Sequence, residues 1–501
     1  MAATKREIER KYESDDSGLP DLTGVAGVET VLDKGIAELD ATYYDTADER
    51  LAASSITLRR RTGGSDAGWH LKFPVAQGVR DEIQAPLSDT LPDEFAGLVR
   101  SRVRDAELRP VVRLRSGRDV RDLLDAQGRL LAEVSVDAVH ARRLTGGDGV
   151  AQWTEIEVEL ADGGDPVFLD KVEKRLRKAG VRPSASSSKL ARALAETAPR
   201  KKRRAGSLKA PVTAGDHVLA YVRAQRDAIV GLDPAVRQDV EDSVHSMRVA
   251  TRRMRSTFKS YGTVLDRGVT DPIGEELKWL AGELGVDRDR EVLTERLTAA
   301  LADVPGTLVS GPVAERLGRW ASAEHGGARS RLIGVLDSRR YLALLDALDA
   351  LIAAPPLRDA AGKKPGKVIA KAVKKDFGKV SGLVEQALDL PPGPDRDVAV
   401  HEARKKTKRT RYAAEAAHPV LGKPAKDLVK SMKSLQTLLG DHQDSVMARR
   451  TLRELSAVAH AAGESAFTYG LLYGREEQRA AAVEAELPEF WKGIKGGAAD
   501  L

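Results

Sequence analysis

The chain has no cysteine among its 501 residues, which excludes disulfides, thiolate nucleophiles and thiolate metal sites. Any metal must therefore be held by oxygen or histidine. No stretch reaches 18 consecutive apolar residues and the N-terminus lacks an apolar signal core, so a cytoplasmic protein that does not enter a membrane is expected. Aromatic residues make up only 4% of the chain, a poor supply of stacking platforms for bases. No zinc-finger or basic-zipper pattern is present either, and these absences argue against nucleic acid as the partner.

What the sequence has is charge, unevenly shared. Residues 1–198 carry 30 Lys+Arg against 35 Asp+Glu, a net of −5, and residues 199–501 carry 51 against 40, a net of +11. A basic excess confined to the second part suits a polyanion. The length exceeds the roughly 250–300 residues at which single cores stop growing, and the texture changes near residue 198. We expect a first domain at 1–198, a basic linker at 199–212 containing Arg200-Lys201-Lys202-Arg203-Arg204, and a helical domain at 213–501.

Short alternating or β-rich stretches occur at 5–13, 54–62, 68–75, 80–87, 109–115, 119–124, 130–142 and 151–160. Helices are expected at 28–39, 92–101, 170–179 and 187–197. Eight strands joined mostly by hairpins suggest an antiparallel barrel or a strongly curled sheet. The long helical patterns from Asp216 onward indicate an all-α domain.

Within the strands, charges recur on alternate residues, which places them on one face. Glu7, Glu9 and Lys11 share a face, as do Arg59 and Arg61, Arg80 and Glu82, Arg113 and Arg115, Glu133 and Asp137, and Glu155, Glu157 and Glu159. A charged outer surface is the ordinary arrangement for a sheet. Here, however, Ile8, Leu58, Leu71, Val112, Leu114, Val134, Val136, Ile156 and Val158 already supply an opposite face for packing against helices. The charged faces are therefore expected to line an interior, where acids and bases must compensate one another. Lys11, Arg59, Arg61, Lys72, Arg80, Arg113 and Arg115 suit phosphate oxygens. Glu7, Glu9, Glu155 and Glu157 suit one or two Mg2+ or Mn2+ ions.

These motifs, Glu7-x-Glu9-x-Lys11, Leu58-Arg-Arg-Arg61, Trp69-x-Leu-Lys72, Arg80-x-Glu82, Arg113-x-Arg115, Glu133-x3-Asp137 and Glu155-x-Glu157-x-Glu159, resemble the CYTH superfamily of triphosphate tunnel metalloenzymes. Ser188-Lys189 resembles that family's closing segment and adds Lys189 to the expected substrate contacts. The resemblance implies an eight-stranded antiparallel tunnel barrel with flanking helices, binding a triphosphate together with divalent metal. It further implies that Glu7, Glu9, Lys11, Glu155 and Glu157 carry the chemistry.

In the second part, His245, Arg248, Arg252 and Arg255 fall at 0, +3, +7 and +10, along one face of a helix, and His401, Arg404, Lys408 and Arg411 repeat the spacing 156 residues later. Lys278 and Lys433 each precede a glycine, Gly285 and Gly440, by seven residues, and Asp289 and Asp444 follow four residues after. The two acids are expected to orient basic side chains or cap helices. The duplicated pattern resembles CHAD, the conserved histidine α-helical domain. That resemblance implies an all-α, pseudo-two-fold bundle binding inorganic polyphosphate through His245, Arg248, Arg252, Arg255, Lys278, His401, Arg404, Lys408, Arg411 and Lys433.

The combined expectation is a metal-dependent inorganic triphosphatase, yielding pyrophosphate and phosphate, joined to a module for long-chain polyphosphate and associated with polyphosphate granules. The alternatives are a non-catalytic polyphosphate-binding or targeting protein, or a thiamine or nucleotide triphosphatase.

Overall fold

The computed structural model describes residues 4–14, 18–198, 210–322 and 325–497. The chain divides into two compact units, Met1–Ser207 and Leu208–Leu501. The expected linker lies, as far as residue 209, outside the described residues.

The first unit contains β1 (Thr4–Ser14), β2 (Thr30–Asp45), β3 (Thr57–Thr62), β4 (Gly68–Ala76), β5 (Val79–Pro86), β6 (Arg109–Leu124), β7 (Leu130–Arg143), β8 (Val150–Leu160) and β9 (Arg182–Pro183), with α1 (Arg50–Ala53), α2 (Asp93–Val103), α3 (Val167–Lys178) and α4 (Lys189–Glu196). The strands form one antiparallel sheet in the order β5-β4-β3-β2-β6-β7-β8-β1-β9, with a further pairing of β5 to β1.

The closed eight-stranded barrel is not what forms. The sheet has nine strands, and its two sides meet only where Thr4–Ile8 of β1 pairs with β5. The rest of β1, Glu9–Ser14, pairs with β8 instead, and Tyr12 and Glu13 also pair with β9. The two ladders thus lie end to end along β1. The arrangement is a strongly curled sheet with a short seam.

Two local expectations are also corrected. Residues 28–39 do not form a helix, because Thr30–Asp45 pairs along its length with β6; a bulge between Asp33 and Gly35 is absorbed by Gly35 at φ +83°. The stretches 109–115 and 119–124 are one continuous strand.

Helices cover the convex face. On α3, Phe168, Leu169, Val172 and Leu176 recur at helical spacing and pack on Tyr12, Val134, Ile156 and Val158. On α2, Phe95, Leu98 and Val99 pack on Leu58, Trp69, Leu71 and Ile83. Burial of each such side chain contributes about 1.5–3 kcal/mol.

The second unit is all α: α5 (Ala214–Arg237), α6 (Ser243–Ser260), α7 (Arg267–Glu283), α8 (Val286–Ala302), α9 (Val313–Ser322), α10 (His325–Asp337), α11 (Arg339–Ala353), α12 (Pro365–Asp389), α13 (Pro394–Leu421), α14 (Lys423–Ala461) and α15 (Phe467–Gly497). The two basic repeats fall on α6 and α13. Each turns an apolar or small face inward, with Thr251 and Thr407 fully buried at equivalent positions. Among the described residues no helix is long and apolar enough to cross a membrane.

Candidate functional site

The concave face of the curled sheet is divided into two parts. At one end Tyr43, Val112, Leu114, Val139 and Trp153 receive Leu190, Ala193 and Leu194 of α4, forming an apolar plug. At the other end lies a cavity of ≈ 630 Å3, whose lining includes Glu7, Glu9, Lys11, Arg59, Arg61, Lys72, Arg80, Glu82, Arg118, Glu133, Glu157 and Lys189. The side chain of Ser188 caps α4 by accepting from the Ala191 N–H. That cap holds Lys189 at the first turn, where its ammonium passes from the plug into the charged half.

The ammonium of Lys189 lies 3.0 Å from Asp137, 2.7 Å from Glu155 and 2.6 Å from Glu157. Carboxylate oxygens of these three buried acids lie within 4.8 Å of one another, close enough to share one cation. Cross-strand register explains the convergence, since Asp137 faces Glu155 across β7 and β8. Arg118 donates from Nε and Nη2 to both oxygens of Asp137, at 2.8 and 2.9 Å, and from Nη2 to Glu157 at 2.9 Å. Lys11 contacts Glu157 and lies 3.0 Å from Glu9. Burial opposes charge on Glu157, but Lys11, Lys189 and Arg118 more than offset it and hold this carboxyl well below the usual range.

Glu7 and Glu9 line the same cavity in a different environment. Glu7 contacts Lys72, which also lies 3.5 Å from Glu82. Burial, aided by the neighbouring Glu82 and opposed by Lys72, pushes the Glu7 carboxyl up to about 7. Glu9 lies 3.8 Å from Arg80 in addition to Lys11. For Glu7 the sign of the linkage is clear: the folded state holds its proton more tightly, so this group's contribution to stability falls as pH rises from 4.5 to about 7. Glu7→Gln is expected to remove that fall and raise the thermal midpoint above pH 7 relative to the parent. Unfolding curves recorded across pH for both proteins measure the difference.

On β3, Arg59 reaches Tyr43 Oη at 3.3 Å and Arg61 pairs with Asp66. The Nε atoms of both arginines are buried without a hydrogen-bond partner. Burial, with Arg59 and Arg118 nearby, pushes Arg61 down to about 9. Crowded guanidinium groups with unused donors suit an anion rich in oxygen.

Arg113 and Arg115 are not in the cavity, contrary to the sequence reading. Both lie on the convex face and bind Asp40, at 2.6 and 3.2 Å. Val112 and Leu114, expected to face outward, instead hold α4 on the concave side. Alternation separates two faces but does not say which is concave.

Two residues were missed. Arg118 fell in the false gap between two stretches of β6. Asp137 was placed on the right parity with Glu133, but only the register across β7 and β8 joins it to Glu155 and Glu157.

In the second unit, α6 and α13 bring the two basic copies together. Lys408 is pushed down to about 7 by burial and by Arg404, Arg252 and Arg248, with Asp444 acting in the opposite sense. The Nε atoms of Arg255, Arg404 and Arg411 are buried without hydrogen-bond partners. Arg404 lies 4.0 Å from Asp444, and His401 Nδ1 lies 2.7 Å from Gln443. His245 and Lys433 are exposed, and the exposed Lys278 pairs with Glu275 at 3.3 Å. The side chain of Asp289 lies outside the described residues. A second group with cation-binding spacing, Asp397, His442 and Glu484, joins α13, α14 and α15, where Arg396 and Arg449 neutralise its acids.

Comparison with known proteins agrees with this division. Residues 5–194 match the CYTH domain and residues 220–453 the CHAD domain. An uncharacterized protein of Mycobacterium tuberculosis, found in two strains, is 39% identical over 514 residues, covering 98% of this chain and 97% of its own. Among solved structures, PptA from Streptomyces chartreusis is 21% identical, covering 56% of this chain and 99% of its own with a TM-score of 0.48. The CHAD domain from the plant Ricinus communis is 24% identical, covering 60% and 98% with a TM-score of 0.43. The chain therefore belongs to the proteins in which a CYTH domain, here with a buried acidic cluster able to hold a metal, is fused to a CHAD domain.

Proposed function

We propose that the first unit is a divalent-metal-dependent inorganic triphosphatase and that the second binds long-chain inorganic polyphosphate. The observation that carries this reading is one cavity lined both by Glu157, a member of the three-carboxylate cluster with Asp137 and Glu155, and by a set of converging cations. Asp137, Glu155 and Glu157 fit Mg2+ or Mn2+ because hard cations take oxygen ligands, and these oxygens already gather around a positive charge. Glu7 and Glu9 extend the acidic lining from β1. When bound, such an ion polarises a phosphoryl oxygen or orients the attacking water.

The chain's own residues do the rest. Lys11, Lys72, Arg80, Arg59 and Arg61 hold the phosphate oxygens and offset charge as the terminal phosphoanhydride bond breaks. Water adds to the terminal phosphorus as that atom's bond to the bridging oxygen breaks, so pyrophosphate leaves with the bridging oxygen, phosphate is formed and the water's proton passes to solvent. Tyr43 is the one aromatic residue among those lining the cavity, which favours an inorganic chain over a nucleotide that needs a stacking surface.

Phosphate release from triphosphate, thiamine triphosphate and ATP, each with Mg2+ and with Mn2+, tests the reading. Preferential metal-dependent turnover of triphosphate is expected. Preference for either organic substrate overturns the substrate assignment, and absence of turnover across metals and pH leaves a binding protein.

In the second unit the guanidinium groups of α6 and α13 hold polyphosphate through its backbone charges, in the cytoplasm and at polyphosphate granules. Affinity should therefore fall steeply as salt is raised, by counterion release. A titration repeated at several salt concentrations checks this, and a flat response excludes an extended polyanion.

A further inference from the structure

Gly285 and Gly440 occupy matching places beside the two basic helices, and neither is required by its backbone. Gly285 has φ −109° and ψ −8°, ordinary values for any residue, and Gly440 lies inside α14. Their surroundings differ from those of most glycines in the second unit. A Cβ on Gly285 would lie 2.6 Å from both Cζ and Nη2 of Arg248. On Gly440 it would lie 3.4 Å from Nη2 and 3.5 Å from Nε of Arg404. These arginines occupy the same position in the two repeats, and both act on Lys408. In each repeat, then, a guanidinium rests against bare backbone on one side and faces the shared cationic cluster on the other.

We propose that Gly285 and Gly440 are positioning residues for polyanion binding, each a seat that aims one arginine, Arg248 or Arg404, into the cluster around Lys408. The inference rests on the polyphosphate reading of this unit. A seat of this kind matters because guanidinium recognition of phosphate is directional, and a planar fork pushed off its plane loses paired hydrogen bonds. The two seats differ in tightness. At 2.6 Å a methyl group must displace the end of Arg248, whereas 3.4 Å is ordinary contact and leaves Arg404 in place.

The test is a titration of the full chain with long-chain inorganic polyphosphate, alongside thermal unfolding. Gly285→Ala is expected to weaken binding about tenfold, the equivalent of one charge-assisted contact. It should have no further effect in an Arg248→Ala background, since its action passes through that side chain. Gly440→Leu should weaken binding by pushing Arg404 aside, which keeps the proposal testable if Gly285→Ala fails to fold.

Equal affinity for Gly285→Ala, Gly440→Leu and the parent, with Arg248→Ala still weakened, overturns the seats but leaves the polyphosphate reading intact. Additive losses in Gly285→Ala/Arg248→Ala also overturn them. If the parent itself does not bind polyphosphate, or Arg248→Ala binds as well as the parent, the underlying reading fails instead.

Discussion

Glu157→Gln is expected to lower metal-dependent phosphate release from triphosphate by at least about 100-fold, the upper range for removing groups that orient a catalytic metal. The side chain keeps its shape but loses the charge on which three cations converge: Lys189 at 2.6 Å, Arg118 at 2.9 Å, and Lys11. Breaking a buried ion network from one side leaves uncompensated charge, so stability should also fall, by about 3 kcal/mol. The pH dependence carries a second signature. Because the folded state holds the Glu157 carboxyl below its ordinary 4.5, its stabilising effect is fully present above that pH and is lost as pH falls below it. The variant should lack that part of the acid-induced loss. Phosphate-release assays and unfolding curves on one preparation measure both effects, while retained polyphosphate binding shows that the second unit is intact. Undiminished turnover would remove Glu157 from the metal site.

Lys408 sets the second large expectation: polyphosphate affinity should fall as pH rises above about 7, by up to about tenfold per pH unit for one linked proton. Burial, together with Arg404, Arg252 and Arg248, makes an ammonium costly there until an anion arrives. Binding the anion restores the proton, so it is taken up on binding. Stability of the free protein should move in the opposite direction, rising with pH between about 7 and 10.5, where the unfolded chain holds the proton that the folded chain has released. Lys408→Arg should flatten the affinity profile, because a guanidinium stays charged throughout. That variant also separates the protein's proton from any on the ligand. A profile unchanged by Lys408→Arg would place the titrating group elsewhere.

Much of the first site is legible along the chain because strand geometry converts spacing into position. Glu7, Glu9, Lys11, Arg59, Arg61, Arg80 and Glu157 were placed on interior faces by alternation together with the apolar residues opposite them, Lys72 was added as a phosphate-suited cation, and all line the cavity. The same rule failed for Arg113 and Arg115, since nothing local distinguishes a concave from a convex face. Residues 28–39, expected as a helix, fall largely in a strand instead, because pairing with β6 from Thr30 onward satisfies the backbone there. Arg118 was lost because it fell between the stretches 109–115 and 119–124, which are one long strand.

In the second unit the spacing of His245, Arg248, Arg252 and Arg255, repeated from His401, fixes two cationic helix faces without any coordinates. Helical periodicity is local and survives whatever the helices pack against. The sequence by itself thus determined the kinds of charge, their parity within strands and the duplication of the basic helices. Only the tertiary structure decided that Asp137 joins Glu155 and Glu157 around Lys189, that α4 plugs one end of the concave face, and that Arg248 and Arg404 meet beside Lys408. Those outcomes depend on strand register and helix docking, which join residues far apart in the chain and leave no periodic mark on the sequence.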